Sequence, residues 1–521
     1  LGKLVIIVKE QKKIVLDTSA HAQILAAIPH AKELQKDDKT FVVVPHGVEE
    51  TMVLKNIGIS VPTPISNYYG WPAQFQPMEH QIETAEFLTL NKRALCLNAP
   101  GTGKTISSIW AADYLIETGL AKKVLIIAPL STLKEVWGRE LKMHLPHRQF
   151  QIITGTRQKR LSLLDTPGIQ YAIINHDGFT NLSKEFSDYD VVIYDEVTAL
   201  KTPSSQRFKI FYKWAKDNAP WLWMLTGTPI SQTPADAWTL ARLVESPHVA
   251  RSYTSFKETV MKKVTQFKWV PRPDALETCK KVLQPSIRFS LDECKDLPDT
   301  NFIDRHTTLS KQQTKAFEEM QGKAVTIFKE GAVTAANSAV LLGKLLQICC
   351  GVVYTEDSTI EIDSKGRYDT LTELLTEIGD KAIVFVPLKG VQKWLIKKLT
   401  ADGFDVALVN GDVSKKKRDE IFHDFQHTDK PQILLAHPKV AAHGLTLTRA
   451  KDIIWYAPIY SLEQYEQANA RIRRLSTEGK TTVWHIWATK FEAELYRRLR
   501  QKQHVLIEFL DLVQGLNVED F

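Results

Sequence analysis

The sequence predicts an α/β fold: two tandem parallel-sheet lobes, a helical insertion between them and a small α+β unit in front. Three observations predict it. Short, continuous apolar runs recur through residues 79–244, each followed by an amphipathic stretch, and the same alternation resumes through residues 381–486. Runs of this kind suit strands buried on both faces of a parallel sheet, and the amphipathic stretches suit crossover helices. Between the two sets, residues 245–366 are charged and mostly helical in pattern, without the buried-strand signature.

The elements follow in order. Residues 4–8 and 14–17 read as a strand hairpin, followed by a helix at 22–28, a strand at 41–44 and a helix at 48–57. Residues 60–77, SVPTPISNYYGWPAQFQP, are rich in Pro and Gly and read as a linker. Strands of the first lobe are expected at 94–97, 124–128, 151–153, 171–174, 191–194 and 222–225. Those of the second are expected at 381–386, 405–409, 432–436, 452–456 and 482–486. The expected domains are 1–73 (accessory unit), 74–246 (lobe one), 247–366 (helical insertion) and 367–521 (lobe two).

With 521 residues, 44% of them hydrophobic and 24% charged, the chain has the makings of ordinary globular cores. Its formal net charge of +7 is a mild basic bias, compatible with a polyanionic partner. The five cysteines, Cys96, Cys279, Cys294, Cys349 and Cys350, form no Cys-x-x-Cys pair. That argues against a disulfide framework or a zinc site and points to a reduced, cytoplasmic compartment. No apolar run is long enough to cross a bilayer, and residues 1–16 lack a signal-peptide pattern.

The sharpest chemical signal is LCLNAPGTGKT, from Leu95 to Thr105. An apolar strand enters a turn carrying Gly101, Thr102 and Gly103, then Lys104, Thr105 and a helix. Such a turn lets backbone N–H groups close around phosphate oxygens, with the helix N-terminus adding its dipole. Lys104 suits the terminal phosphates of a nucleotide, and the Thr105 hydroxyl suits magnesium. Asn98 stands where the strict pattern has Gly. The second signal is VVIYDEVTALK, a buried strand ending in two carboxylates. Asp195 suits a magnesium ligand, and Glu196 a base that orients an attacking water. By itself this motif would read as an exposed Asp-Glu turn. The third is LWMLTGTPI, with Thr226, Gly227 and Thr228 at a strand tip, where small hydroxyl residues can couple a nucleotide site to a bound strand. An ordinary strand-to-loop turn has the same look. The fourth is EQYEQANARIRR, which on a helix would place Gln467, Arg471 and Arg474 on one face. Arginines so placed suit fingers that neutralise a γ-phosphate; a solvated basic helix is the plainer alternative.

These motifs, in this order, resemble helicase superfamily two, and more narrowly the Swi/Snf-type DNA translocases. FQPMEHQIETAEFL resembles the family's opening motif, in which Gln81 would contact adenine. VLIIAPLSTLKEVWGREL resembles a motif that touches the nucleic-acid backbone, here through Pro129 and Ser131. DEVTALKTPSS resembles the extended Asp-Glu box, and LTGTPISQTPADAWTLARLV the following motif, with Thr226 and Thr228 facing the strand. LVNGDVSKKKRDEIFHDFQ and HPKVAAHGLTLTRAKDIIWYAPIYSLEQYEQANARIRR resemble motifs of the second lobe. In the latter, Gly444 and Gln467 would border the nucleotide and Thr446 the strand. The resemblance covers residues 76–502 and is closest in style to short bacterial and bacteriophage members. Departures are Asp-Glu-Val-Thr in place of Asp-Glu-x-His, Ala441-Ala442 in place of a Gly pair, and Leu475-Ser476 in place of Gly-Gln.

The resemblance implies two RecA-like lobes, ATP and Mg2+ as cofactors, and translocation along double-stranded DNA through backbone contacts. A monomer with no membrane association is expected. An RNA helicase and an ATP-gated nucleic-acid clamp are the rival readings; the intact Glu196 and Arg474 argue against the clamp. Residues 28–58 resemble the HARP module of annealing-type relatives, with Phe41 in place of a Trp; a folding cap for lobe one is the alternative.

Overall fold

The structure is a computed structural model and describes residues 5–36, 39–71, 76–230, 233–264, 269–290, 293–294, 300–329, 335–354, 359–441, 447–472 and 480–501. The chain divides into two compact units. One comprises Leu1–Pro229, Ala235–Lys257 and Leu276–Ser290; the other comprises Ile230–Pro234, Glu258–Ala275 and Leu291–Phe521.

The first unit opens with a small antiparallel sheet. Strands β1 (Val5–Val8), β2 (Lys13–Leu16), β3 (Lys32–Lys36) and β4 (Lys39–Pro45) pair in the order β1-β2-β4-β3. Ile14, Leu16, Val42 and Val44, alternating along β2 and β4, face one side. They pack there with Ile24 of α1 (His21–Ala27) and Leu54 of α2 (Val48–Asn56). β3 is exposed along its whole length, so its KELQK sequence offers no apolar alternation and no strand was expected there.

The described part of the stretch expected to be a linker packs against the sheet that follows. Helix α3 (Pro64–Tyr68) starts on a proline, whose fixed φ suits a first helical turn. Ile65 and Tyr69 lie in the same apolar core as the sheet that follows. Tyr69 Oη donates to Asp113 Oδ2 at 2.6 Å, and Arg148 Nε donates to Asp113 Oδ1 at 2.5 Å. Asp113 is fully buried, and these two donors replace the water it lost. Pro and Gly mark turns in a sequence; they do not say whether the turns are covered.

The main sheet of this unit contains β5 (Arg93–Cys96), β6 (Val124–Ala128), β7 (Phe150–Ile153), β8 (Tyr171–Asn175), β9 (Val191–Asp195) and β10 (Trp221–Leu225). A two-stranded ribbon, β11 (Met261–Lys263) with β12 (Trp269–Pro271), comes next in sequence and belongs to the second unit. The short β13 (Ser286–Ile287) then joins the main sheet at its edge. The order is β13-β5-β10-β9-β6-β8-β7, parallel throughout.

The second unit carries β14 (Thr300–His306), a ribbon of β15 (Val352–Tyr354) with β16 (Thr359–Glu361), then β17 (Ala382–Phe385), β18 (Val406–Val409), β19 (Ile433–Ala436), β20 (Asp452–Trp455) and β21 (Thr481–Trp487). Its sheet runs β14-β21-β20-β17-β19-β18, again parallel. Ile383 and Phe385 enter one core while Ala382 and Val384 enter another, so the sheet is covered on both faces. This is the burial that continuous apolar runs imply. In both lobes each such run forms a strand, its ends within about one residue of expectation. The fold is two tandem RecA-like α/β lobes.

One expectation fails in the segment between the lobes. Residues 245–366 showed no strand signature, yet the ribbons β11–β12 and β15–β16 lie there, together with β13 and β14, each at the edge of a different larger sheet. β13 is only two residues long, and β14 leaves Phe302 and other positions exposed. An edge strand with one partner and an uncovered face needs no continuous apolar run. The helices Lys311–Lys329 and Ala335–Cys349 do match the helical pattern of this segment.

A buried ion pair crosses the second unit. Arg367 Nη2 donates to both oxygens of Glu492 at 2.6 and 2.7 Å, and Nη1 donates to the carbonyls of Tyr456 at 2.6 Å and Ile486 at 3.3 Å. The pair therefore ties the ends of β20 and β21 to the helix Lys490–Arg500. Among the described residues, no helix is long and apolar enough to cross a membrane.

Candidate functional site

The order of the first sheet places β5, β10, β9 and β6 side by side. Being parallel, they end at one edge, where open α/β sheets bind ligands. Four segments distant in sequence meet there: the Gly-rich loop after β5, Thr226–Thr228 after β10, Asp195 and Glu196 at the end of β9, and Pro129–Ser131 after β6.

The loop after β5 is shaped by its glycines. Gly101 and Gly103 adopt φ of 91° and 86°, a left-handed conformation that costs other residues steric strain. A Cβ on Gly103 would stand 2.3 Å from Gln81 Nε2, so a side chain here would push Gln81 of α4 (Glu79–Thr89) off the loop. Helix α5 (Lys104–Glu117) begins directly after Gly103 and directs its first N–H groups at the loop. Lys104 Nζ donates to the carbonyls of Asn98 at 2.7 Å and Ala99 at 3.0 Å, across the loop's mouth. Thr105, half-buried, follows in the first turn.

α4 braces this loop. His80 Nε2 donates to the Thr102 carbonyl at 2.8 Å, and Gln81 Oε1 accepts from the Met78 N–H at 3.2 Å. Thr102 is itself buried, its hydroxyl donating to the Ala99 carbonyl. Asn98 explains its departure from the Gly pattern. Its side chain is buried, donates to Thr84 Oγ1 at 2.9 Å and accepts from the Phe289 N–H at 3.0 Å. It is a bracket behind the loop.

Asp195 accepts from Trp137 Nε1 at 3.0 Å and from the Glu196 N–H at 3.1 Å, and its carbonyl accepts from His176 Nε2 at 2.9 Å. Burial raises the pKa of the Asp195 carboxyl above the ordinary value, while the Trp137 hydrogen bond and the Lys104 charge oppose that rise. Glu196 sits at φ 51°, ψ 57°, in the left-handed region. A non-glycine residue there stores strain of about 1–3 kcal/mol, and such residues cluster at functional sites. The buried Val197 and Leu200 of the following turn hold it.

The third motif touches the first: a Cβ on Gly227 would lie 2.8 Å from Pro100 Cδ. Thr226 corrects an expectation. It is fully buried, and its hydroxyl accepts from the Thr228 N–H at 3.2 Å, so it shapes the turn and has no surface to offer a strand. Thr228 is partly exposed. At the edge of β6, Pro129 is half-buried while Leu130 and Ser131 are exposed.

In the second unit the helix Leu462–Asn469 carries Gln467, which is buried and whose Nε2 donates to Glu463 Oε1 at 3.3 Å. The expected helix through 463–474 is shorter in the structure. Arg471 N bonds the Ala468 carbonyl in a tighter turn, and the Arg471 carbonyl is taken by Leu447 N, so Arg471 lies past the helix end. Its guanidinium still reaches back, Nε donating to the Gln467 carbonyl at 2.9 Å. Arg474, Gly444 and Thr446 lie outside the described residues. Sequence reasoning missed Trp137 and His176, whose partners are set by sheet order; His176 directly follows β8, and Trp137 lies in the turn Leu133–Gly138 beyond β6.

Two protein families match the chain: the SNF2-related domain over residues 80–352, just over half of it, and the helicase conserved C-terminal domain over residues 366–476. A Bacillus subtilis protein described as an uncharacterized ATP-dependent helicase, YqhH, is 23% identical over 86% of this chain and 82% of its own length. Putative protein p41 of Acyrthosiphon pisum secondary endosymbiont phage 1 is 25% identical over 76% of this chain and 88% of its own. The ATP-dependent DNA helicase DDM1 of Arabidopsis thaliana is 24% identical over 78% of this chain and 58% of its own.

Proposed function

The chain belongs to the SNF2-related family of ATP-dependent, helicase-type enzymes, and from that membership we propose that it hydrolyses ATP to move along double-stranded DNA. The observation that carries this reading is the meeting, at one sheet edge, of a phosphate-type loop, an acidic pair and the exposed tip at residues 129–131. A relative named as a DNA helicase and the net charge of +7 favour DNA as the track.

The residues fit a nucleotide with Mg2+. Left-handed glycines leave the loop free of Cβ atoms, and the N-terminus of α5 supplies amides and a positive dipole end. Lys104 is placed to pair with terminal phosphates. Thr105 and Asp195 would hold the metal, the latter as a half-buried carboxylate whose raised pKa a cation would offset. Bound there, magnesium neutralises charge on the phosphoryl oxygens. Glu196 orients the water, and its strained backbone fixes where the carboxylate leaves the chain. Gln81 borders the loop beside Gly103. Arg471 and Arg474 are assigned as fingers, with Gln467 and Gly444 beside them; Thr228 and Thr446 join Pro129 and Ser131 as backbone contacts. The division at 1–73, 74–246, 247–366 and 367–521 is part of the same proposal, with β13 and β14 added to their sheets.

The test is the ATPase rate of the chain alone and with duplex DNA, single-stranded DNA or RNA, across a salt series. Duplex DNA should stimulate most, and stimulation should fall steeply with salt, because phosphate contacts release counterions. Stronger stimulation by RNA than by duplex DNA would overturn the reading.

A further inference from the structure

The hydrogen bond between Trp137 and Asp195 joins two parts of the site that the proposed function keeps separate. Trp137 lies in the segment that begins at the exposed 129–131 tip. From there an unbroken chain of hydrogen bonds leads inward. The Pro129 carbonyl accepts from Thr132 N at 3.0 Å and Thr132 Oγ1 at 2.9 Å. The Thr132 carbonyl accepts from Val136 N at 3.1 Å and Trp137 N at 3.0 Å. The Trp137 indole then donates to Asp195 Oδ2 at 3.0 Å. Indole has one N–H and no acceptor, so this bond uses all its polar capacity. Trp137 is fully buried, its ring in the core beneath the sheet.

The backbone between tip and indole is unusual. Leu133–Gly138 is a stretch of π-helix, wound one residue wider than an α-helix. Such stretches are rare and are frequent at functional sites. A change of one residue in register turns a side chain by about 100° around the helix axis. Gly138 permits close packing here, since a Cβ would stand 3.1 Å from Ile152 Cδ1 and 3.3 Å from the Leu133 carbonyl. The tip and the indole are thus joined by a short, tightly packed and register-sensitive turn.

We infer that Trp137 is a positioning residue that couples engagement of a nucleic-acid backbone at residues 129–131 to the orientation of the Asp195 carboxylate. The inference rests on the proposed function, which gives the tip its ligand and Asp195 its metal. With Oδ1 held by the Glu196 N–H and Oδ2 by the indole, the carboxylate plane is set by two donors, and only the indole belongs to the track-facing segment.

The experiment uses the full chain and reads binding. The dissociation constant of fluorescent mant-ADP with Mg2+ is measured with and without saturating duplex DNA. The dissociation constant of the duplex is measured with and without nucleotide. By linkage the two ratios must agree, and ordinary couplings are about 5- to 150-fold. Trp137→Phe keeps a buried ring and removes the N–H. It should bring the ratio toward one, whatever change it makes in either separate affinity. Leu133→Val, in the same turn and also buried, perturbs packing and keeps the donor, so it should lower Tm and preserve the ratio. A Trp137→Phe chain with an undiminished ratio overturns the inference. So does an equal loss of the ratio in Leu133→Val, since packing would then carry the coupling. No coupling in the unsubstituted chain overturns this inference alone, since the proposed function is tested by stimulation of hydrolysis by duplex DNA.

Discussion

Replacing Arg367 with Met should cost the second unit several kcal/mol of stability. The structure says why. Arg367 is 1% exposed and Glu492 is wholly buried. The guanidinium makes four hydrogen bonds, two to the carboxylate and two to the carbonyls of Tyr456 and Ile486. Methionine fills much of the volume and supplies none of them. Glu492 keeps the Ala488 N–H at 3.0 Å, and its charge loses its only close cation among the described residues. Removing one partner of a buried pair costs about 3–5 kcal/mol. At about 2–4 °C per kcal/mol for a domain of this size, the midpoint should fall by about 6–20 °C. The assay is calorimetry of the full chain, following the transition that moves in Arg367→Met and not in the Lys104→Ala chain. The double variant Arg367→Met/Glu492→Leu should recover most of the loss, because it leaves no buried charge. A shift below about 3 °C in the single variant, or a double variant no more stable than the single, would refute the reasoning.

Three further outcomes are expected. Lys104→Ala should lose both ATP binding and turnover, whereas Glu196→Gln should bind ATP normally and lose turnover; equilibrium binding beside steady-state kinetics separates them, and a Glu196→Gln chain with near-normal kcat ends its assignment. Arg474→Ala should lower kcat on the order of a thousandfold with a smaller change in nucleotide affinity, as removal of a finger does; intact hydrolysis would return that arginine to an ordinary solvated face. The chain should displace the third strand of a triplex in an ATP-dependent manner, largely regardless of sequence, because its track contacts go to backbone. Failure to displace it, on DNA that stimulates hydrolysis, leaves a DNA-gated ATPase without movement.

Much of this protein was legible in the sequence because its decisive signals are local. A strand buried on both faces must be apolar at successive positions, so Val124–Ala128 and Val191–Asp195 announce themselves. The glycine loop needs φ above zero at Gly101 and Gly103 and a helix at once after, all within a few consecutive residues. What the sequence could not supply depends on which strands become neighbours. The adjacency of β5, β10, β9 and β6 sets Pro100 against Gly227 and brings Trp137 to Asp195. Asn98 reads as a defect in the loop until Thr84 and Phe289 arrive at its amide from elsewhere in the chain. β13 and β14 carry no apolar run because they sit at sheet edges, and Tyr69 is a linker residue until the buried Asp113 accepts its hydroxyl. Thr226 has the composition of a contact residue, and only its burial under the turn shows that it is not one. Local conformation is set by each residue and its near neighbours. Burial and hydrogen-bond partnership are set by the packing of segments far apart in sequence, and only the tertiary structure decides those.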